Sequence, residues 1–184
     1  MRSAVPLALS LILVLQLSAC VTRPAGIRVD RGGTDVTSLS VGDVRLSWRF
    51  GEELVFFELG APVNGWLGIA FAPLAGGGTG TLGGANVIAG YVTEGTVVVR
   101  DDFGCESFEH CADTAIGGTD DVTEVYGEES PGWTEIRFAV PREPADDVDL
   151  ALEPGQQLDI VLGYGFLDRL EDNWFARHRI SITL

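Results

Sequence analysis

Runs in which apolar and polar residues alternate with a period of two recur along this chain, and they confine it to sheet. Val44, Leu46, Trp48 and Phe50 alternate with Arg45, Ser47 and Arg49. Ile136, Phe138 and Val140 alternate with Arg137 and Ala139. Leu158, Ile160, Leu162 and Tyr164 are spaced in the same way, as are Ile180, Ile182 and Leu184. Successive side chains of a strand point to opposite faces, so each run predicts a strand with one face buried. Leu54–Leu59 and Trp66–Phe71 are denser in apolar residues and are expected to be buried on both faces. Turns punctuate at Gly51-Glu52, Asn64-Gly65, Glu94-Gly95, Pro131-Gly132 and Pro154-Gly155. No segment predicts a helix of more than two turns, although Leu167–Asn173 has room for a single one. The fold class expected is all-β: an antiparallel, immunoglobulin-like sandwich in one domain over residues 41–184.

The N-terminus carries an export signal. Arg2 is the lone charge before an almost wholly apolar run, Leu7–Leu17, and Leu17-Ser18-Ala19-Cys20 follows. The run is too short for a membrane span and ends in small residues, as a cleaved leader does. A cysteine directly after Leu-Ser-Ala matches the bacterial lipobox, in which the thiol takes a diacylglycerol. Residues 1–19 are therefore expected to be a lipoprotein signal peptide, and Cys20 the lipidated first residue. Its acyl chains would anchor the protein durably. Val21, rather than Asp, resembles an outer-membrane address. Residues 20–40 are polar and Gly-rich and read as a flexible tether.

Charge excludes several functions. The chain holds 27 acidic and 12 basic residues, a formal charge of −15, and every base is Arg. An acidic surface does not bind nucleic acid. Without Lys there is no P-loop, Schiff base or pyridoxal phosphate chemistry. Ala75–Ala85, AGGGTGTLGGA, has the glycines of a phosphate loop but no GK[ST] and no following helix. It reads instead as a loop at the mouth of the sandwich. Nor does the sequence contain G-x-S-x-G or a zinc signature, so no catalytic residue is assigned.

Beyond Cys20, two cysteines remain, Cys105 and Cys111, in FGCESFEHCAD. In an oxidising compartment they suit a disulfide closing a small loop. A Cys-His-Cys metal site using His110 would lack the fourth ligand that tetrahedral zinc takes.

From Leu82 the sequence reads LGGANVIAGYVTEGTVVVRDDFG, with an apolar strand over Ala85–Val92 and a second over Thr96–Arg100. DTAIGGTDDVTEV follows an insert, with GWLGIAF upstream and GWTEIRFAVP downstream. In order and spacing these segments resemble the DOMON domain, over roughly Val41 to Leu184. That family comprises extracytoplasmic β-sandwich modules that bind haem b or sugars. The resemblance implies a non-catalytic binding or electron-transfer module. Haem-binding members use an axial Met three residues before the Ala of a motif like M-x-G-A-D/N, with a His near the last strand. Here Leu82 stands at the Met position, and Leu has no lone pair for iron. The single Met is Met1, so a Met/His site is excluded. His178, in NWFARHRISITL, precedes the final alternating strand and is the candidate haem ligand. His110 is its candidate partner, matching a His of some bacterial members.

Trp66, Trp133 and Trp174 remain as aromatic candidates. Trp66 and Trp133 open apolar strands, as core residues do. Trp174, beside His178, is the better platform for a sugar or a porphyrin. Aspartates at 101, 102, 113, 120, 121, 146, 147 and 149 offer calcium-type oxygen ligands, but without EF-hand spacing. The function expected is that of a membrane-anchored, extracytoplasmic binding module for a carbohydrate or other small ligand. The alternative is a haem-b electron-transfer domain with altered axial ligation and a redox partner. A surface-protein partner without any small ligand is the third reading.

Overall fold

The computed structural model describes residues 28–31, 35–72, 82–107 and 109–184. The expected leader, Cys20 and residues 75–81 of the glycine-rich run lie outside the described residues. In chain order the elements are β1 (Arg28–Arg31), β2 (Thr37–Val41), β3 (Val44–Phe50), β4 (Leu54–Ala61) and β5 (Leu67–Ala72). Then come β6 (Asn86–Thr93), β7 (Thr96–Phe103), β8 (Cys111–Ala112) and the single helical turn α1 (Asp113–Ile116). β9 (Thr123–Ser130), β10 (Trp133–Pro141), β11 (Gln157–Tyr164) and β12 (Ala176–Thr183) complete the fold.

Two antiparallel sheets form the expected sandwich. The first runs β1-β2-β3-β4-β10-β9 and the second β12-β11-β5-β6-β7-β8. Strand alternation supplies the filling between them. Val44, Leu46 and Trp48 come from β3, Val55, Phe57 and Leu59 from β4, and Ile136 and Phe138 from β10. They meet Leu67, Ile69 and Phe71 of β5 and Leu158, Ile160 and Leu162 of β11. Phe57 anchors this layer, with ring centroids 5.2 Å from Phe71 and 5.5 Å from Phe138. Among the described residues, no helix is long and apolar enough to cross a membrane.

Three local expectations need correction. Residues 20–40 are not tether throughout: β1 and β2 fall within them, and Leu39 of β2 is buried in the core. The cue was Gly42-Asp43, a two-residue hairpin connection with Gly42 at φ +61°, which registers Val41 against Val44. Leu54–Leu59 is buried on one face only, because Phe56 points outward beneath the guanidinium of Arg49, 3.7 Å from its ring. Leu167–Asn173 forms no helical turn; the one helix among the described residues is α1. Trp66–Phe71, by contrast, is buried on both faces as expected.

Candidate functional site

β5, β6 and β11 are buried on both sides because a second apolar layer covers the outer face of the second sheet. Ala70, Val87, Ala89 and Val161 point outward into it, where Trp66, Leu82, Leu170 and Trp174 pack against them. Two loops bring these residues in. The segment before β6 is pinned to residues 104–107: Leu82 N–H donates to the Ser107 carbonyl at 2.9 Å, and Gly84 N–H to the Gly104 carbonyl at 2.8 Å. Gly104 is required there, since a Cβ would stand 1.8 Å from the Leu82 carbonyl oxygen. Between β11 and β12, the Trp66 N–H donates to Leu167 O and the Gly165 N–H to Trp66 O. This lays residues 165–175 over the sheet.

Trp174 lies on glycines. A Cβ at Gly163 would come 2.4 Å from its ring, and one at Gly68 3.3 Å. Its ring meets that of Trp66 edge-on at 4.8 Å. His110 completes the cluster, 5.8 Å from Trp66 and 6.1 Å from Trp174 between ring centroids. His110 Nδ1 shares a 2.5 Å hydrogen bond with Asp102 Oδ2, and Arg100 Nε donates to Asp102 Oδ1, also at 2.5 Å. Arg100 then reaches Glu171 at 2.9 Å, tying β7 to the covering loop. Burial alone would raise the Asp102 carboxyl. The hydrogen bonds from His110 and Arg100 outweigh that and hold it below the usual carboxylate range.

His178 is elsewhere. It pairs with Leu162, and directly opposed residues of neighbouring strands share a face. Leu162 faces the core, so His178 points to the inner side of the sheet, at its edge. There it packs on Gly42, with Nε2 3.6 Å from Asp43 Oδ1, while Tyr164 Oη donates to Asp43 Oδ2 at 2.9 Å. The sheet itself therefore stands between His178 and the cluster of Leu82, Trp66, Trp174 and His110. Of the residues expected to form one site, the fold gathers four and excludes His178.

The DOMON family model matches residues 40–165. The chain belongs to the DOMON family. Among solved structures it is similar to the cytochrome domain of Myriococcum thermophilum cellobiose dehydrogenase. The TM-score there is 0.60 at 11% identity, over 88% of this chain and 89% of that one. It is also similar to the cytochrome b domain of pyranose dehydrogenase from Coprinopsis cinerea. In that case the TM-score is 0.57 at 9% identity, over 77% and 76% of the two chains. No curated protein matches it in sequence. At these identities the likeness concerns the fold.

His178 and His110, the candidate haem ligands, lie on opposite faces of the second sheet and do not form an axial pair for one haem b. Leu82 offers no donor atom, and His178 faces the other side of the sheet. On the outer face, Trp174 already lies over Gly68 and Gly163, and the Trp66 ring over Gly165. These are the places where a flat ligand could approach backbone closely. Both indoles are packing residues rather than exposed platforms. The sulfurs of Cys105 and Cys111 are unbonded in this structure, and the disulfide expected of them stays a prediction. They lie close together, and burial, then a hydrogen bond with Cys105, pushes the Cys111 thiol up to about 11.

An open groove occupies the outer face of the first sheet, which sequence reading did not single out. It measures about 380 Å³ and is lined by Ser47, Arg49, Phe56, Glu58, Tyr126 and Arg137. Arg49 stacks on Phe56, and Arg137 lies 5.4 Å from the centre of the Tyr126 ring. Arg137 also pairs with Glu58 at 2.8 Å. The outward residues of β3, the polar half of a half-buried strand, were the available signal.

Proposed function

We propose that this DOMON domain is a non-catalytic binding module, exported and held to a bacterial membrane through Cys20. Its ligand is a carbohydrate, taken in the groove on the outer face of the first sheet. The observation that carries the reading is the lining of that groove: two aromatic rings framed by guanidinium, carboxylate and hydroxyl groups on one concave face. Sugars present apolar C–H faces that stack on such rings, and hydroxyls that take up the polar groups around them. The filled outer face of the second sheet supports the same reading. The haem-b reading, which the names of the two cytochrome domains would suggest, lacks a ligand pair on one face.

Titration of the purified protein with a panel of neutral and acidic oligosaccharides tests this. Binding is expected to weaken by about fivefold or more in Tyr126→Ala, since a stacked ring contributes about 1 kcal/mol beyond its area. Protein from a haem-replete host should be colourless. Stoichiometric haem with a Soret band lost on His110→Ala would overturn the reading, as would sugar binding undiminished by Tyr126→Ala.

A further inference from the structure

The DTAIGGTDD segment, residues 113–121, has a role that neither the groove nor the aromatic cluster uses. α1 begins at Asp113, and the chain turns back through Gly117 at φ +97°, with Gly118 N–H donating to Asp113 O at 2.9 Å. Gly118 allows this closure, because a Cβ there would lie 2.6 Å from Val148. The turn carries Asp113 inward to the end of the sandwich where β6 starts and β7 finishes. Asp101 of β7 and Asp149 of the β10–β11 connection meet it there, with one oxygen from each within 4.8 Å of the others.

The hydrogen bonding separates these three carboxylates from the acids around them. Asp121 accepts from Thr119 Oγ1 and from Ala145 N–H, and Asp146 accepts from Thr119 and from Val148 N–H. Those two are satisfied by the loops they fold. Asp113 is completely buried, and no N–H or hydroxyl donates to either of its oxygens, its carboxyl meeting only that of Asp149. Asp101 Oδ1 is buried and unpartnered as well. Asn86 donates Nδ2 to Asp149 Oδ1 at 2.5 Å, which leaves its own buried Oδ1 without a donor. Asn86, Asp101 and Asp149 also line, with Asp121 and six apolar or proline residues but not Asp113, an adjoining cavity of about 10 Å³, the space of one water-sized particle. Buried acceptors without donors are costly, and three carboxylates at this distance repel one another.

We infer that Asp101, Asp113 and Asp149, with Asn86 Oδ1, form a calcium-binding site that closes this end of the sandwich. The donor set is all oxygen, with no His or Cys among it, which selects a hard cation over zinc or copper. Calcium also tolerates the irregular geometry of ligands drawn from two strands, a helix start and a loop. Calcium sites of extracellular modules have dissociation constants of roughly 10⁻⁴–10⁻³ M, which suits the exported setting proposed above.

The test is calorimetric and thermal titration of the full chain with calcium chloride after EDTA treatment. The wild type is expected to take up one calcium. Its Tm should rise by about 5 °C or more once calcium exceeds the dissociation constant a hundredfold. Asp113→Asn should bind at least tenfold more weakly and show no such rise. That variant removes a buried charge, so its calcium-free Tm should equal or exceed that of the wild type, which separates loss of the site from loss of the fold. Asp168→Asn, which removes an exposed charge elsewhere, should bind as the wild type does. No uptake by the wild type up to about 5 mM calcium, or equal uptake by Asp113→Asn, would overturn the inference.

Discussion

On β7, strand alternation sends the Asp101 side chain into the space between the sheets and that of Asp102 onto the outer face. The two environments drive their acidities apart. Asp101 is raised by burial and by the charge of Asp149, whereas Asp102 is lowered because His110 and Arg100 outweigh its burial. A depressed folded-state pKa contributes stability above the ordinary aspartate value of 3.8, and that contribution is lost as pH falls through the lower folded value. Asp102→Asn removes the charge and leaves one acceptor oxygen for two partners, so the buried His110 or the partly buried Arg100 loses its bond. It is expected to destabilise the protein by about 2 kcal/mol at pH 7. The gap to wild type in urea unfolding should narrow as pH falls below about 4. A gap that is constant with pH would show that the carboxylate charge is not what Arg100 and His110 require.

At the scale of the elements, the double burial of β5 and β11 depends on glycines that let Trp174 lie on the sheet. At Gly163 a Cβ would stand 2.2 Å from the Ala176 carbonyl oxygen and 2.4 Å from the Trp174 ring. Neither backbone nor a packed indole can yield that distance without repacking. Gly163→Ala is therefore expected to cost about 2 kcal/mol in denaturant unfolding, the typical penalty of overpacking. A neutral result would mean that the covering loop over residues 165–175 repacks freely. The strands themselves were legible because a period of two is a local property: β3 and β11 coincide with the alternating runs to within a residue, and β10 and β12 overlap theirs. The ends of elements were less so. β7 continues through Asp101 and Asp102 to Phe103, past the expected end at Arg100, since two successive aspartates carry no strand signal of their own. The site was least legible. Which face a residue such as His178 occupies follows from its register against Leu162, and register is a pairing between strands distant in sequence. Likewise nothing local relates Asp101, Asp113 and Asp149, which only the closed sandwich brings within reach of one another.

At the scale of the whole molecule, compartment decides the state of the cysteines. Cys105 and Cys111 flank the segment carrying His110, and part of that segment holds Leu82 in place through the Ser107 carbonyl. The two thiols lie within reach of one another, and an oxidising compartment with its own thiol oxidants favours their pairing. The leader and Cys20 predict that the chain reaches such a compartment anchored by lipid. Cys20→Ala should therefore appear in the soluble extracytoplasmic fraction, where the wild type stays with membranes. Intact mass of this released protein, kept free of reductant, is expected to rise by about 2 Da on reduction, the two hydrogens of one disulfide. Closing so short a loop should add about 2–3 kcal/mol, so reduction should lower the urea midpoint of the same sample. Retention of Cys20→Ala in washed membranes would refute the anchor. Free thiols in protein recovered from outside the cytoplasm would refute the pairing and leave Cys105 and Cys111 as neighbouring thiols in a loop held by its backbone hydrogen bonds alone.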